Sequence, residues 1–223
     1  MGTRTIAQPT RLKTKFLSIE SLRTRLQGRK PGLKAQLKMV TSPRPSDKTY
    51  LDVGDSCLKA GVLVLLYPRQ EKLHLVLTRR TATVAHHQAQ ISFPGGRMDR
   101  GESAVDAAVR EAREELQIVP DSIRMLGELT PLYVPPSNYC IYPVVAAAEK
   151  RPEFRPSPIE VAEVIEMPVD HLLDPRNIRR ETWPLRGMDV RVPFYFFKGH
   201  KIWGATAMIL AELAELISSV REP

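Results

Sequence analysis

The stretch GRMDRGESAVDAAVREAREELQI, residues 96 to 118, constrains this chain more than any other. Glu111, Glu114 and Glu115 stand three and four positions apart, so a helix sets them on neighbouring positions of one surface. Like charges at that spacing repel and cost stability unless cations neutralise them. Carboxylates without a histidine or cysteine nearby suit hard ions such as Mg2+ or Mn2+, which prefer oxygen ligands. Ser103 followed by Asp106 reads as a capping box that starts the helix at Ala104. Val105, Ala108, Val109, Ala112 and Leu116 then form its buried stripe, and Arg110, Glu111, Glu114 and Glu115 look outward. The competing reading is a plain amphipathic helix whose acids face water, offset by Arg110 and Arg113. Ahead of the helix, Phe93-Pro94-Gly95-Gly96 is a turn that lets backbone approach a ligand closely.

The chain on either side supplies a sheet. Ala60 to Tyr67 is strongly aliphatic and reads as a buried strand, turning through Pro68–Lys72 into a hairpin partner at Leu73–Arg79. Short strand signals follow at Gln90–Phe93, Ile123–Leu132, Tyr139–Ala148 and Glu163–Pro168, with a helical turn at Asp170–Leu173. A late hairpin spans Val190–Phe197 and His200–Trp203. A final helix over Ala205–Ser218 buries Met208, Ile209, Ala211, Leu213 and Leu216 and turns Glu212 and Glu215 outward. Strands before and after one central helix predict an α+β layered domain with a mixed sheet.

Charge divides the chain in two. Of the formal net charge of +8, residues 1–50 hold twelve Lys/Arg against two acids, a net +10, and the remainder holds 21 against 23, a net −2. The basic character therefore belongs to a leader, residues 1–48, carrying short helices around Phe16–Leu26 (with Ser18 as its cap) and Gly32–Val40. Residues 49–223 form the main domain. A basic leader can meet nucleic acid or anionic lipid, but a solvated extension is the expectation, and nucleic acid is not the expected partner. No apolar run is long enough to insert in a membrane. Cys57 and Cys140 show neither metal-ligand spacing nor a disulfide framework, and they read as small core residues in a reducing, cytoplasmic setting.

Gly96, five residues, Glu102, seven residues, Arg110-Glu111, a small residue, Arg113, then Glu114-Glu115 and Ile118 resemble the Nudix box. Gln117 stands where that family has glycine, which bears on the backbone at the helix exit. The resemblance implies a Nudix-like α/β/α sandwich and Mg2+- or Mn2+-dependent hydrolysis of a diphosphate linkage. By it, Glu111, Glu114 and Glu115 hold the metal, with the Gly95 carbonyl and Glu102 in support, and Arg110 orients a box glutamate by a salt bridge. The family varies in its general base, and Glu160 or Glu163 can supply one; the alternative is a solvated acidic run, EVAEVIE.

The flanks resemble the coenzyme A pyrophosphatase subgroup. Leu77, Thr78, Arg80 and Phe93 to Gly96 agree with its signature, while Ala85 replaces an arginine and Ala89 a glycine. The segments LTPLYVPPSN (residues 129–138), PFYF (193–196) and IWGATA (202–207) are similar to its later segments. Arg79, Arg80, Ser137, Asn138 and Tyr195 become candidate substrate contacts. The implied reaction converts coenzyme A or an acyl-coenzyme A to 3',5'-ADP and 4'-phosphopantetheine or its acyl derivative, with an electropositive patch for the 3'-phosphate. Alternatives are a Nudix pyrophosphatase for ADP-ribose, a dinucleotide or another nucleoside diphosphate derivative, and a catalytically weak binding module using the leader. This kind of enzyme also allows a homodimer.

Overall fold

The structure is a computed structural model that describes residues 18–43, 50, 57–81 and 90–221 of the chain. Residues 1–17 with Phe16, the linker after Pro43, and both Ala85 and Ala89 lie outside the described residues.

The aliphatic run predicted as a buried strand is the sheet's central strand, β1 (Leu58–Arg69), with Leu63 to Tyr67 wholly buried. A two-residue turn at Gln70-Glu71, both at positive φ, returns the chain into β2 (Lys72–Arg80). Positive φ at both turn residues matches the twist of the flanking strands. Next come β3 (Ile91–Ser92), β4 (Gly95–Arg97), helix α3 (Ala104–Leu116), β5 (Ile123–Glu128), β6 (Leu132–Val134), β7 (Tyr139–Ala148) and β8 (Val161–Pro168). The sheet order is β3-β2-β1-β7-β5, with β4 on β1, β6 on β7 and β8 on β2. β1 and β7 run parallel and the other pairs antiparallel, which gives the mixed α+β sheet expected.

Period-two alternation gives the sheet two apolar faces. One face buries Leu63, Leu65, Val76, Val144 and Ala146 under Ala108, Ala112 and Leu116 of α3. The other buries Val64, Leu66, Leu75, Leu77 and Val145 under α5 (Gly204–Arg221) and the first helix, α1 (Ile19–Gln27). These layers are the α/β/α arrangement. A short helix α4 (Val169–Leu173) and a second sheet, β9 (Ile178–Leu185), β10 (Met188–Phe197) and β11 (His200–Ile202), complete the elements named here.

Several expectations need correction. The leader is not a separate extension over its described part: Leu22, Leu26 and Met39 are at most 3% exposed and belong to the α5-side core. Its second helix, α2 (Leu33–Gln36), buries Ala35 and Gln36. The reason is Glu212, predicted to face water but 0% exposed. Glu212 accepts hydrogen bonds from the Gly32 amide (3.2 Å), Gln36 Nε2 (2.8 Å), and the Thr130 amide and hydroxyl (3.2 and 2.7 Å). A buried carboxylate is tolerated only with such a full complement of donors. The same bonds draw Thr130 away from the sheet, so the single strand expected over Ile123–Leu132 divides into β5 and β6.

β9 was absent from the sequence reading because its sequence, IRRETWPL, has no apolar run and its strand is largely exposed. The two cysteines are also not free. Cys57 and Cys140 form a disulfide, because the parallel pairing of β1 with β7 brings the residue just before β1 near the start of β7, with the two Cα atoms 5.8 Å apart although 83 residues separate them. The pair therefore gives no support to a reducing compartment.

Candidate active site

Helix α3 begins as its capping box predicts: Ser103 Oγ accepts from the Asp106 amide at 3.1 Å. It packs closely over β1 at Gly61, where a Cβ would stand 2.3 Å from the Ala104 carbonyl oxygen. It ends at Gln117, in the left-handed conformation (φ 55°), with the Gln117 amide bonded to the Arg113 carbonyl at 2.9 Å. The missing glycine has not altered the helix exit; Gln117 takes the conformation at a cost of about 1 kcal/mol.

The carboxylates do not all face outward. Glu115 is 2% exposed and lies against the glycine turn, where the Gly95 amide donates to it. Its Oε2 is buried with no hydrogen-bond partner. Its pKa is pushed up to about 8: burial is the main cause, the Arg80 charge and the Gly95 amide oppose it, and Glu111 and Glu160 add to the rise. Glu111 is half-buried, with its carboxyl against Gly96, where a Cβ would come within 2.3 Å of the carboxyl carbon. Burial raises the Glu111 pKa, partly offset by Arg110, with Glu114 and Glu160 adding repulsion. Glu114 is the exposed member, its side chain 54% accessible.

Arg110 organises the outer acids. Its guanidinium reaches Glu102 at 2.9 Å, Glu111 at 2.8 Å, Glu114 at 3.4 Å and the Arg97 carbonyl at 3.0 Å. The bonds from Arg110 and the Asp99 amide hold Glu102 below the usual carboxylate range. Among the described residues no three His, Cys, Asp or Glu side chains form a group poised for a metal. The donor set nevertheless fits a hard divalent cation. It has oxygen ligands on successive helical positions, one carrying a buried orphan oxygen, and excess negative charge that Arg110 alone does not balance.

Other predicted residues divide by location. Glu160 lies near enough to the carboxylates for its charge to raise the pKa of both Glu111 and Glu115. It sits on a turn fixed by Thr81 N–H to the Glu160 carbonyl (3.0 Å) and Glu160 N–H to the Ser157 carbonyl (3.1 Å). Glu163 does not join it. It points with Ile165 and Met167 to the α5 side, where Arg79 Nε (2.9 Å) and His200 Nε2 (3.1 Å) bond its two oxygens. Burial raises the Glu163 pKa, but these two partners outweigh it and the net shift is downward, which suits an ion-pair partner better than a base. Arg79 is thereby committed away from the carboxylates, while Arg80, one residue on, takes the α3 face by alternation.

Tyr195 is also corrected: at 2% exposed it packs in the α5-side core opposite Ile202, and burial raises its pKa. Ser137 and Asn138 form a turn beside β1, with the Ser137 amide bonded to the Val134 carbonyl and the Leu58 amide to the Asn138 carbonyl. Leu58 lines a groove of about 450 Å3 with Lys59, Arg97, Met98 and Glu102. A second groove, of about 620 Å3, continues past Glu102 along Arg110, Arg113 and Glu114. The sequence reading missed Lys59, Arg97 and Gly61. Arg97 was reachable as the residue beside the box glycine, whereas Lys59 and Gly61 become neighbours only through pairing of β1 with β4.

A mixed sheet presenting a glycine turn to a helix of carboxylates is the arrangement of a Nudix domain. The NUDIX domain family matches residues 58–185, and the chain belongs to that family as a Nudix pyrophosphohydrolase enzyme. It is 36% identical over 144 residues to the "Uncharacterized Nudix hydrolase NudL" of Photorhabdus laumondii, covering 64% of this chain and 76% of that protein. It is 37% identical over 150 residues to the protein of the same description in Pectobacterium atrosepticum, covering 65% and 75%. A solved Nudix hydrolase from M. smegmatis, RenU, is 18% identical with a TM-score of 0.49, covering 76% of this chain and 99% of that one. Among the described residues no helix is long and apolar enough to cross a membrane.

Proposed function

We propose that this enzyme hydrolyses the diphosphate linkage of coenzyme A or an acyl-coenzyme A in the presence of Mg2+ or Mn2+. The observation that carries the chemistry is Glu115, a buried carboxylate with one oxygen bonded to the glycine turn and the other without a partner. Glu111, Glu114 and Glu115 would hold the cation, with Glu102 in support. Bound there, a divalent cation neutralises phosphate charge and lowers the pKa of bound water.

The chain's own groups have separable parts in the reaction. Gly95 and Gly96 let the turn lie against Glu115 and Glu111 with no side chain between. Arg110 holds the outer carboxylates in one orientation. Glu160, fixed on its turn and close in charge to the site, accepts a proton from the attacking water. The water oxygen bonds to one phosphorus, the bond from that phosphorus to the bridging oxygen breaks, and the bridging oxygen leaves with the other phosphate. The products are 3',5'-ADP and 4'-phosphopantetheine or its acyl form.

The coenzyme A assignment rests on the segments around Leu77–Arg80, Phe93–Gly96 and Leu129–Asn138. Lys59 and Arg97, two exposed cations lining the groove beside Glu102, supply positive charge suited to a terminal phosphate. A hydrolysis screen with Mg2+ or Mn2+ over coenzyme A, dephospho-coenzyme A, ADP-ribose, dinucleotides and nucleoside triphosphates tests the reading. Coenzyme A should be cleaved fastest and dephospho-coenzyme A more slowly. Faster cleavage of ADP-ribose or a dinucleotide would replace the substrate and leave the chemistry standing. No cation-dependent cleavage of any member, with Glu115→Gln at the same background, would overturn both.

A further inference from the structure

The last carbonyls of an α-helix have no partner within it and must be met from outside. At α3 two of them are met by the segment leading into β8. The Ser157 amide donates to the Glu115 carbonyl at 2.8 Å, and the Arg155 amide to the Leu116 carbonyl at 3.0 Å. The Ser157 carbonyl accepts in turn from the Glu160 and Val161 amides at 3.1 and 2.8 Å. Thr81 holds the same turn, its amide donating to the Glu160 carbonyl (3.0 Å) and its hydroxyl to the Ile159 carbonyl (2.7 Å). The backbone of Glu115 is therefore tied to the first residue of β8.

That first residue is placed by a bulge. Arg79 stands opposite Glu163 and Arg80 opposite Val161, so Ala162 has no partner on β2. In a regular strand Val161 and Glu163 would share a face. Here Val161 is buried in the α3-side core, while Glu163 points to the α5 side. A one-residue slip that removed the bulge would turn Val161, and the turn before it, to the other face. The ladder pair closing the bulge is Arg79 with Glu163, whose side chains bond at 2.9 Å. His200 Nε2 bonds the other oxygen of Glu163 at 3.1 Å. His200 comes from β11, in the second sheet and beyond residues 58–185 that match the family.

We propose that His200 is a positioning residue for the active site: with Arg79 it anchors Glu163, holds the bulge at Ala162, and so keeps the end of α3 that carries Glu115 in place. This rests on the proposed cation site, which needs Glu115 fixed. The geometry separates this role from ordinary stabilisation. Arg79 and Glu163 are each more than a third accessible, and ion pairs that exposed contribute little to global stability. Loss of the anchor should therefore be felt in local order and in turnover before it is felt in melting.

The measurement pairs amide hydrogen exchange at Ser157 and Val161 with steady-state hydrolysis of the fastest-cleaved diphosphate with Mg2+, on the full chain. In His200→Ala both amides should exchange about tenfold faster. There kcat should fall about tenfold with KM held, because a small displacement of a reacting group is costly. His200→Gln, which keeps a donor for Glu163, should recover part of both losses, and the melting midpoint should hardly move. Should His200→Ala melt early, Glu163→Gln, which keeps the shape and gives up one acceptor, carries the same comparison. Wild-type exchange at Ser157 and Val161 in folded His200→Ala would overturn the proposal, and so would faster exchange with kcat unchanged. A raised KM at unchanged kcat would also overturn it, placing His200 against the substrate. If the wild-type chain cleaves no diphosphate, the reading of function fails separately and exchange alone decides the anchor: unchanged rates overturn it, and faster rates sustain it.

Discussion

Gly96 lies so close beneath Glu111 that a Cβ there would stand 2.3 Å from the carboxyl carbon of Glu111. That contact explains why the glycine and the acid fifteen positions later belong to one motif: the side chain of one occupies the space the other leaves empty. Gly96→Ala should displace Glu111 and lower kcat/KM about a hundredfold. Its effect on stability should be limited to about 1–3 kcal/mol, from overpacking. Steady-state kinetics and urea denaturation measured together check this; near-normal kcat/KM in the variant would show that Glu111 needs no fixed position.

Gln117 holds a left-handed conformation that glycine adopts without steric penalty. Gln117→Gly should therefore stabilise the protein by roughly 0.5–1 kcal/mol, the relief of strain exceeding the added freedom of the unfolded chain. Activity should hardly change, because the side chain is not among the carboxylate contacts. A lower urea midpoint would contradict this account of the helix exit.

Glu212 joins the leader, the β5–β6 connection and α5 through bonds to Gly32, Gln36 and Thr130. Glu212→Ala leaves these donors buried and unpaired and should destabilise by about 3–5 kcal/mol. Removing residues 1–43 should do more, since it also uncovers the cavities filled by Leu22, Leu26 and Met39. Circular dichroism melts distinguish the outcomes: a truncated chain that melts like the whole would show the leader to be dispensable.

Glu166 accepts from the Tyr67 hydroxyl at 2.9 Å and pairs with Arg69 and Arg151, both at 2.8 Å. Burial raises its pKa, but Arg151 and Tyr67 outweigh burial and the net shift is downward from 4.5. A carboxylate whose folded pKa is depressed stabilises above its unfolded pKa and loses that contribution as pH falls through the folded value. Glu166→Gln should cost about 2 kcal/mol at pH 7. The gap from wild type should narrow as pH falls below about 4.5 and through the folded value. Stability curves of both proteins from pH 3 to pH 7 decide it; a gap constant over that range would refute the assignment.

The Cys57–Cys140 bond closes a loop across an 83-residue separation. Thiol titration of the denatured protein should find no free thiol before reduction and two after it. Cys57→Ser should lower stability by about 4–5 kcal/mol on the chain-entropy account. Two thiols titrating without reductant would show that the bond does not form.

Much of the site was readable in order along the chain because it is local. The shared face of Glu111, Glu114 and Glu115, the cap at Ser103 and the aliphatic central strand depend on local pattern within short windows, and the stretch from Gly96 to Ile118 resembles the Nudix box. Glu111 and Gly96 were therefore identified without any knowledge of their contact. Readings failed where a residue's surroundings come from distant segments. Glu115 and Glu212 are acids on helices, and an acid on a helix is expected to face water unless something covers it. The glycine turn covers the first, and the leader with Thr130 covers the second.

Sequence by itself pointed to the family through its resemblance to the Nudix box, and determined the layered α+β order because that order is written in hydrophobic periodicity. Only the tertiary structure decided the direction of each charge. Adjacent residues in a strand face opposite sides of a sheet, so Arg79 went to Glu163 and Arg80 to the face of Glu115. Strand pairing likewise brought Cys57 to Cys140 and Gly61 beneath α3. Such neighbours are fixed by which strands pair and in what register, which no local stretch of the chain specifies.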